Sequence, residues 1–475
     1  RRPFNESFTV IIHFLGANKQ VTGSRYCLES AGGKVLIDCG LFQERDYRER
    51  NWSPSPVDVT ELDAVVLTHV HIDHCGLLPR LVAEGFRGPI YMTRPSQDLL
   101  GMMLHDTARI QKEDTAYKIR RHKKASHKPP RPVKPLYTEE DVERTLPLAS
   151  GVDYGEQVSI SDDLSVTFHD AGHILGSSML EIKAGSQGDA ITIIFSGDIG
   201  LENKPIVRDP TFFRQADFVV MESTYGDRNH APAGNVEDEL AAVIQRTVDR
   251  GGNVVIPTFA VERAQELMYY LARLCLAGRI PQLPVYLDSP MAINATDVFK
   301  RHRDCYDSEA WQLIMQGQEP FDFPGLVMTR SSDESRAINQ VKGSAIIMST
   351  SGMCTAGRIK HHLRQNIGRP ESTILFVGYQ AHGSLGRHIV DGKEEVRIHG
   401  RKYAVEAEIV QLSGFSGHAD QAGLVRWLSH FAAAPQQVFL THGDAEAAEC
   451  LQQKIIQESG WPVKIPEYGE IVDLG

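Results

Sequence analysis

The chain has 475 residues, 41% of them hydrophobic and 23% charged, a length that calls for two or three folding units rather than one core. A formal net charge of -11 argues against a general nucleic-acid coat protein. No run of 18 apolar residues is present, Arg1 to Glu6 lacks the apolar stretch of a secretion signal, and the seven cysteines have neither metal-knuckle spacing nor disulfide-scaffold density. The expectation is a soluble, cytoplasmic α/β protein with no membrane partner.

In chain order, the first part reads as a β-rich meander, with short apolar runs at Thr9 to Leu15, Ser24 to Glu29 and Lys34 to Asp38 broken by glycine turns. Leu62 to Thr68 is a further strand that empties into a histidine cluster, and the spacing from Gly76 through Val82 predicts a short helix. Between Lys118 and Lys134 lie eight Lys or Arg residues and no Asp or Glu, a basic strip able to guide a polyanion; its prolines make it an exposed excursion. Leu164 to Phe168, Ser178 to Ile182 and Ile191 to Ser196 are strands that each deliver a polar residue at their exit.

From about Asp217 the rhythm changes to strand followed by helix, a parallel-sheet pattern that includes Phe218 to Met221, Asn253 to Pro257, Val285 to Asp288, Ala345 to Ser349 and Thr373 to Gly378. After Arg387 the chain is expected to return to the first domain through Ala404 to Ser413, a helix from Gln421 and the strand Gln437 to Thr441. The domain reading is therefore 1–216, an insertion at 217–387, and a returning part at 388–475.

The sharpest chemical signal is Thr68-His69-Val70-His71-Ile72-Asp73-His74-Cys75-Gly76. His69, His71, Asp73 and His74 would diverge on a regular strand or helix, but a loop leaving a strand can wrap them around cations, and imidazole with carboxylate suits borderline metals. Such a loop cannot complete two metal shells. His173, Asp198 and His418, each following glycine at a chain exit, can supply the missing ligands. Singly, His173 or His418 is as readily an ordinary loop histidine.

These residues give the chain a resemblance to the metallo-β-lactamase superfamily, and within it to the β-CASP branch of nucleic-acid-processing nucleases. His69 to His74 matches the superfamily's His-x-His-x-Asp-His motif, and Asp38, His173 and Asp198 fit its first, third and fourth motifs. Glu222 in Glu222-Ser223-Thr224-Tyr225-Gly226, His388 in Gly386-Arg387-His388 and His418 in Ser416-Gly417-His418 match the three β-CASP motifs. The resemblance implies an αββα sandwich carrying an inserted parallel-sheet α/β domain. It also implies two divalent metal ions, zinc by family expectation: one on His69, His71 and His173, the other on Asp73, His74 and His418, with Asp198 bridging and Asp38 orienting a ligand histidine from behind.

Two such ions would activate a hydroxide for attack on a phosphodiester and neutralise the charge that builds at phosphorus. His388, held by Glu222, is the candidate proton donor to the leaving oxygen; a surface ion pair is the plainer alternative. Ser349, Ser351, Gly352, Gly383 and Ser384 stand at strand-to-helix junctions where hydroxyls and backbone N–H groups can hold phosphate or simply cap helices. His442, another strand-exit histidine, is a secondary substrate-contact candidate, and His361 and His362 read as surface residues. Absence of Gly-x-x-x-x-Gly-Lys argues against ATP dependence.

RNA as substrate, in single-stranded form, follows from the resemblance, since a histidine at the His418 position is typical of RNA-processing members. The reading is thus a two-metal ribonuclease, endonucleolytic with scope for 5'-to-3' trimming. Its competitors are a thioesterase or lactonase using the same two-metal centre and a non-catalytic RNA-binding subunit. A homodimer is compatible with the sequence, but no interface is legible in it.

Overall fold

A computed structural model describes residues 9–125, 133–185, 190–230, 235–381 and 383–475. The chain divides into two compact units, one formed by 1–202, 209–229 and 418–475, the other by 203–208 and 230–417.

The first unit holds two seven-stranded sheets. In the first, Ile11–Phe14, Tyr26–Glu29 and Lys34–Ile37 form an antiparallel meander, and Ala64–Val66, Ile90–Thr93 and Ala149–Val152 continue it in parallel. The second centres on Ser178–Ala184, Ile191–Phe195, Phe218–Glu222 and Gln437–Thr441. Alternating residues of both sheets, among them Ile12, Phe14, Val35, Ile37, Phe168, Leu180, Ile193, Phe195 and Phe439, bury themselves in one shared core. The opposite face of the second sheet, through Ile194, Val219, Met221 and Leu440, packs on Leu424, Trp427 and Leu451 from the helices Gln421–Leu428 and Ala445–Ser459. Helices outside, sheets inside: this is the expected αββα sandwich.

The second unit carries a six-stranded, wholly parallel sheet in the order Leu326–Met328, Val285–Leu287, Ile346–Thr350, Val254–Thr258, Thr373–Phe376, Glu408–Gln411. Its strands are near-continuous apolar runs, as sheets covered on both faces require. On one face Val255, Ile347, Ile374 and Phe376 meet Ile359, Leu363 and Ile389 from the helices Ile359–Asn366 and Leu385–Val390.

Two strands differ from the expected division. Phe218–Glu222, read as the start of the insertion, lies parallel between Ile191–Phe195 and Gln437–Thr441 in the first unit. Glu408–Gln411, read as part of the return, pairs with Thr373–Phe376 in the second. Both are short apolar or mixed runs, and periodicity reports that a strand is buried without reporting which sheet accepts it. The basic strip begins on the helix Arg94–Ala125, ahead of its prolines, while 126–132 lie outside the described residues.

Candidate metal centre

Apart from His418, which lies just before the helix Gln421–Leu428, the polar side chains of the centre enter at or beyond the ends of buried strands of the first unit. Lys34–Ile37 ends at Asp38, whose backbone turns left-handed at φ 56°. Its carboxylate accepts from the Thr68 N–H at 2.8 Å and lies 2.7 Å from His74 Nδ1, which leaves Nε2 as the outward-facing nitrogen of His74. The His69 to His74 stretch is a loop running into a single helical turn, Ile72–Cys75, flanked by His71 in extended conformation. This break in geometry is what lets neighbouring residues converge.

His173 follows the strand Leu164–Asp170 and a left-handed Gly172, and its N–H is held by Ser177 Oγ at 3.1 Å. Asp198 follows Ile191–Phe195 and Gly197, where a Cβ would meet Thr68 Cβ at 2.9 Å, so the Thr68 and Asp198 turns approach as only glycine permits. His442 leaves Gln437–Thr441 at φ 50°.

These side chains gather into three groups whose ligand atoms lie within 4.8 Å of one another: His69, His71, His173 and Asp198; Asp73, His74 and His442; and Asp198, Glu222 and His418. Asp198 spans the first two. Its Oδ2 lies 3.4 Å from His69 Nε2 and 3.5 Å from His173 Nε2, while Oδ1 lies 3.4 Å from His74 Nε2 and 3.5 Å from His442 Nδ1.

The donor set fits divalent cations. Ring nitrogens face one another, His69 Nε2 and His173 Nε2 each 3.1 Å from His71 Nδ1, and His74 Nε2 3.0 Å from His442 Nε2. Asp198 Oδ1, though buried, accepts no hydrogen bond. Burial, reinforced by neighbouring histidines, holds His69 and His173 below the usual imidazole range and His71 down to about 3, so these rings are neutral and present lone pairs. Asp198 keeps its charge despite burial because His442 and His74, which carboxylates hold above the usual imidazole range, outweigh it. On the side of His69, His71 and His173, neutral imidazoles converging on a buried carboxylate are a ligand shell for a borderline metal.

Two expectations are corrected here. His418 does not join Asp73 and His74; His442 occupies that place, with Nε2 3.5 Å from Asp73 Oδ2. His418 instead sets Nδ1 3.1 Å from Glu222 Oε2, and Glu222, fully buried, also accepts the Ile199 N–H at 2.5 Å. The Glu222 carboxylate is thus the partner of His418 rather than of His388, which belongs to the second unit on the helix Leu385–Val390. Burial would lower the His418 pKa, but Glu222 and Asp198 raise it to about 9, so its ring is cationic near neutrality. The signal for His442 was present in the sequence: Thr441-His442-Gly443 repeats the strand-exit pattern of Asp198.

The remaining candidates lie in the second unit. Ser384 Oγ caps the helix Leu385–Val390 by accepting from the Arg387 N–H, and Ser351 Oγ accepts from the Thr355 and Ala356 N–H groups. Ser349 is buried and donates to the Asp288 carbonyl; Gly383 turns at φ 76°. His362 is a further correction: it is fully buried, with Nε2 2.7 Å from Asp288 Oδ2.

Comparison with known proteins decides the family. Residues 27–199 match the metallo-beta-lactamase superfamily domain, 264–389 the Beta-Casp domain, and 402–466 the Zn-dependent metallo-hydrolase RNA specificity domain. Ribonuclease TTHA0252 of Thermus thermophilus is 37% identical over 459 residues, 97% of this chain and 99% of that protein. The chain belongs to the β-CASP branch of the metallo-β-lactamase superfamily. Transcription termination factor FttA of Methanosarcina mazei is 33% identical over 94% of this chain and 68% of its own length. A crystal structure of a protein of unknown function from Enterococcus faecalis shares the fold, with a TM-score of 0.56 at 14% identity over 98% of this chain and 100% of that one.

Proposed function

We propose that this β-CASP protein is a two-metal ribonuclease that hydrolyses phosphodiester bonds of single-stranded RNA. The observation that carries the reading is Asp198, whose two oxygens each face a separate triad: His69, His71 and His173 on one side, Asp73, His74 and His442 on the other. Two divalent ions held there, zinc by the donor set and the family, would supply Lewis acidity and an activated water for in-line attack at phosphorus. Asp38 fixes the His74 ring from behind.

The chain's own residues then manage protons. His418, paired with Glu222, carries a proton at neutral pH and would give it to the leaving oxygen. His388 stays a second candidate for that transfer. RNA is favoured over DNA and over small esters by the RNA-specificity match at 402–466 and by the ribonuclease among the relatives.

The test offers metal-replete protein matched 5'-labelled RNA and DNA and a small thioester. RNA is expected to be cut, with a rate that falls roughly 100-fold or more in Asp198→Ala or His71→Ala. Thioester turnover without RNA cleavage would refute the reading. Product lengths on the same gel distinguish internal cutting from trimming at the 5' end.

A further inference from the structure

In the second unit, three loops leave the ends of adjacent parallel strands: Val254–Thr258 is followed by Phe259, Ile346–Thr350 by Ser351 and Gly352, and Thr373–Phe376 by Val377, Gly378 and Tyr379. Large apolar side chains at such ends normally turn into the core, yet Phe259 is 41% exposed and Tyr379 60% exposed. The Phe259 ring is nonetheless seated. A Cβ on Gly352 would lie 2.6 Å from its Cε2 and 2.9 Å from Cδ2 and Cζ, and one on Gly378 would lie 3.6 Å from Cε2. The backbone at Gly352 and Gly378 is not left-handed, so conformation does not demand glycine at either position. What Gly352 provides is the space the ring occupies.

The seat is also rigid. Buried Gln380 donates from Nε2 to the carbonyls of both Gly352 and Gly378, at 3.0 and 3.2 Å, and the Gly386 N–H donates to Met353 O at 3.1 Å. The strand end that leads into Gly352 is polar rather than apolar: Thr350, paired in register with Thr258, sets Oγ1 2.8 Å from Ser289 Oγ, and Ser351 follows it. An exposed aromatic ring held in place at a polar strand end presents a π-face at low entropic cost to a flat partner.

We propose that Phe259 is a stacking platform for an unpaired nucleobase of the RNA strand, seated on Gly352 and Gly378, with Tyr379 as a second aromatic contact. This rests on the ribonuclease reading. Stacking of this kind is sequence-tolerant, since every base offers a π-face, so the platform would bind bases without choosing among them.

The test measures binding of the full metal-loaded chain to a slowly cleaved phosphorothioate ribo-oligonucleotide carrying 2-aminopurine, and to the same backbone without bases. Phe259→Ala is expected to weaken binding of the base-bearing strand roughly 5- to 100-fold and to abolish quenching of 2-aminopurine emission. Phe259→Trp should retain both, and binding of the base-free backbone should be the same for Phe259→Ala and the wild type. Gly352→Ala, which leaves Phe259 intact but collides with its ring, should reproduce the loss; Phe259→Leu, which fills the seat without a π-system, controls for folding. Equal affinity of Phe259→Ala and wild type for the base-bearing strand would overturn the platform, as would an equal loss on the base-free backbone. Binding of a Leu- and Phe-rich peptide that requires Phe259 while RNA affinity is unaffected would overturn it too. Wild-type protein that neither binds nor cuts RNA would instead remove the ribonuclease reading beneath it.

Discussion

Each unit buries an aspartate beyond the end of a strand and sets histidine against it, yet the two environments differ in kind. Asp288, fully buried in the second unit, has every nearby donor at full hydrogen-bond distance: Thr329 Oγ1 and Ser335 Oγ at 2.6 Å, Arg358 Nη1 and His362 Nε2 at 2.7 Å. Asp198 in the first unit has four imidazole nitrogens at 3.4 to 3.5 Å, and its Oδ1 accepts no hydrogen bond. The first arrangement closes on itself and ties strand ends to the helix Ile359–Asn366; the second is too open for hydrogen bonds and has the polarity to hold cations. Residue type at a strand exit therefore does not separate structural from chemical sites. Donor distance and satisfaction do.

The contrast can be broken at either end. Asp288→Ala has the largest expected effect: removing one member of a buried charged network should cost about 3–5 kcal/mol in urea unfolding, while metal content per folded molecule stays that of the wild type. His418→Ala follows, with cleavage slowed by about 100-fold, or about 2.7 kcal/mol, and metal retained as measured by elemental analysis. His388→Ala is expected to slow cleavage with metal retained as well, and turnover equal to wild type would remove it from proton transfer.

Acid sharpens the comparison further. Burial raises the Asp288 pKa, but hydrogen bonds from His362, Ser335, Thr329 and Arg358 hold it down to about 2. A carboxylate with a lowered folded-state pKa contributes stability that is complete above its unfolded value and disappears as pH falls through the folded one. The stability gap between wild type and Asp288→Asn should therefore shrink by about 2 kcal/mol between roughly pH 4 and pH 2. Smallest is Tyr26→Phe, which deletes a 2.9 Å bond to Thr441 Oγ1 between the two sheets of the first unit; about 1 kcal/mol is expected in the same unfolding assay.

Much of the centre was legible along the chain because its residues sit at strand exits marked by glycine. His69 to Asp73, His173 and Asp198 announced themselves by spacing and by Gly172 and Gly197, and the strands that carry them fall where their apolar runs predict. His442 carries a similar mark in Gly443, but the resemblance puts His418 in its place on the second metal. That exchange is a matter of a few ångströms: both histidines reach Asp198, but only His442 meets Asp73 and His74. His362 is not legible for another reason. Its helix is short and polar, with His361 and His362 adjacent, and only the Asp288 network turns one ring inward.

Local order along the chain determined the elements, the metal-capable residue types and the interruption of one unit by another, since periodicity and glycine placement act over a few residues. Tertiary structure alone decided which sheet accepts Phe218–Glu222 and Glu408–Gln411, which histidine faces Asp73, and which carboxylate partners His418. Those choices depend on packing between segments distant in the chain, from Thr373 against Glu408 to Asp73 against His442, which no local pattern reports.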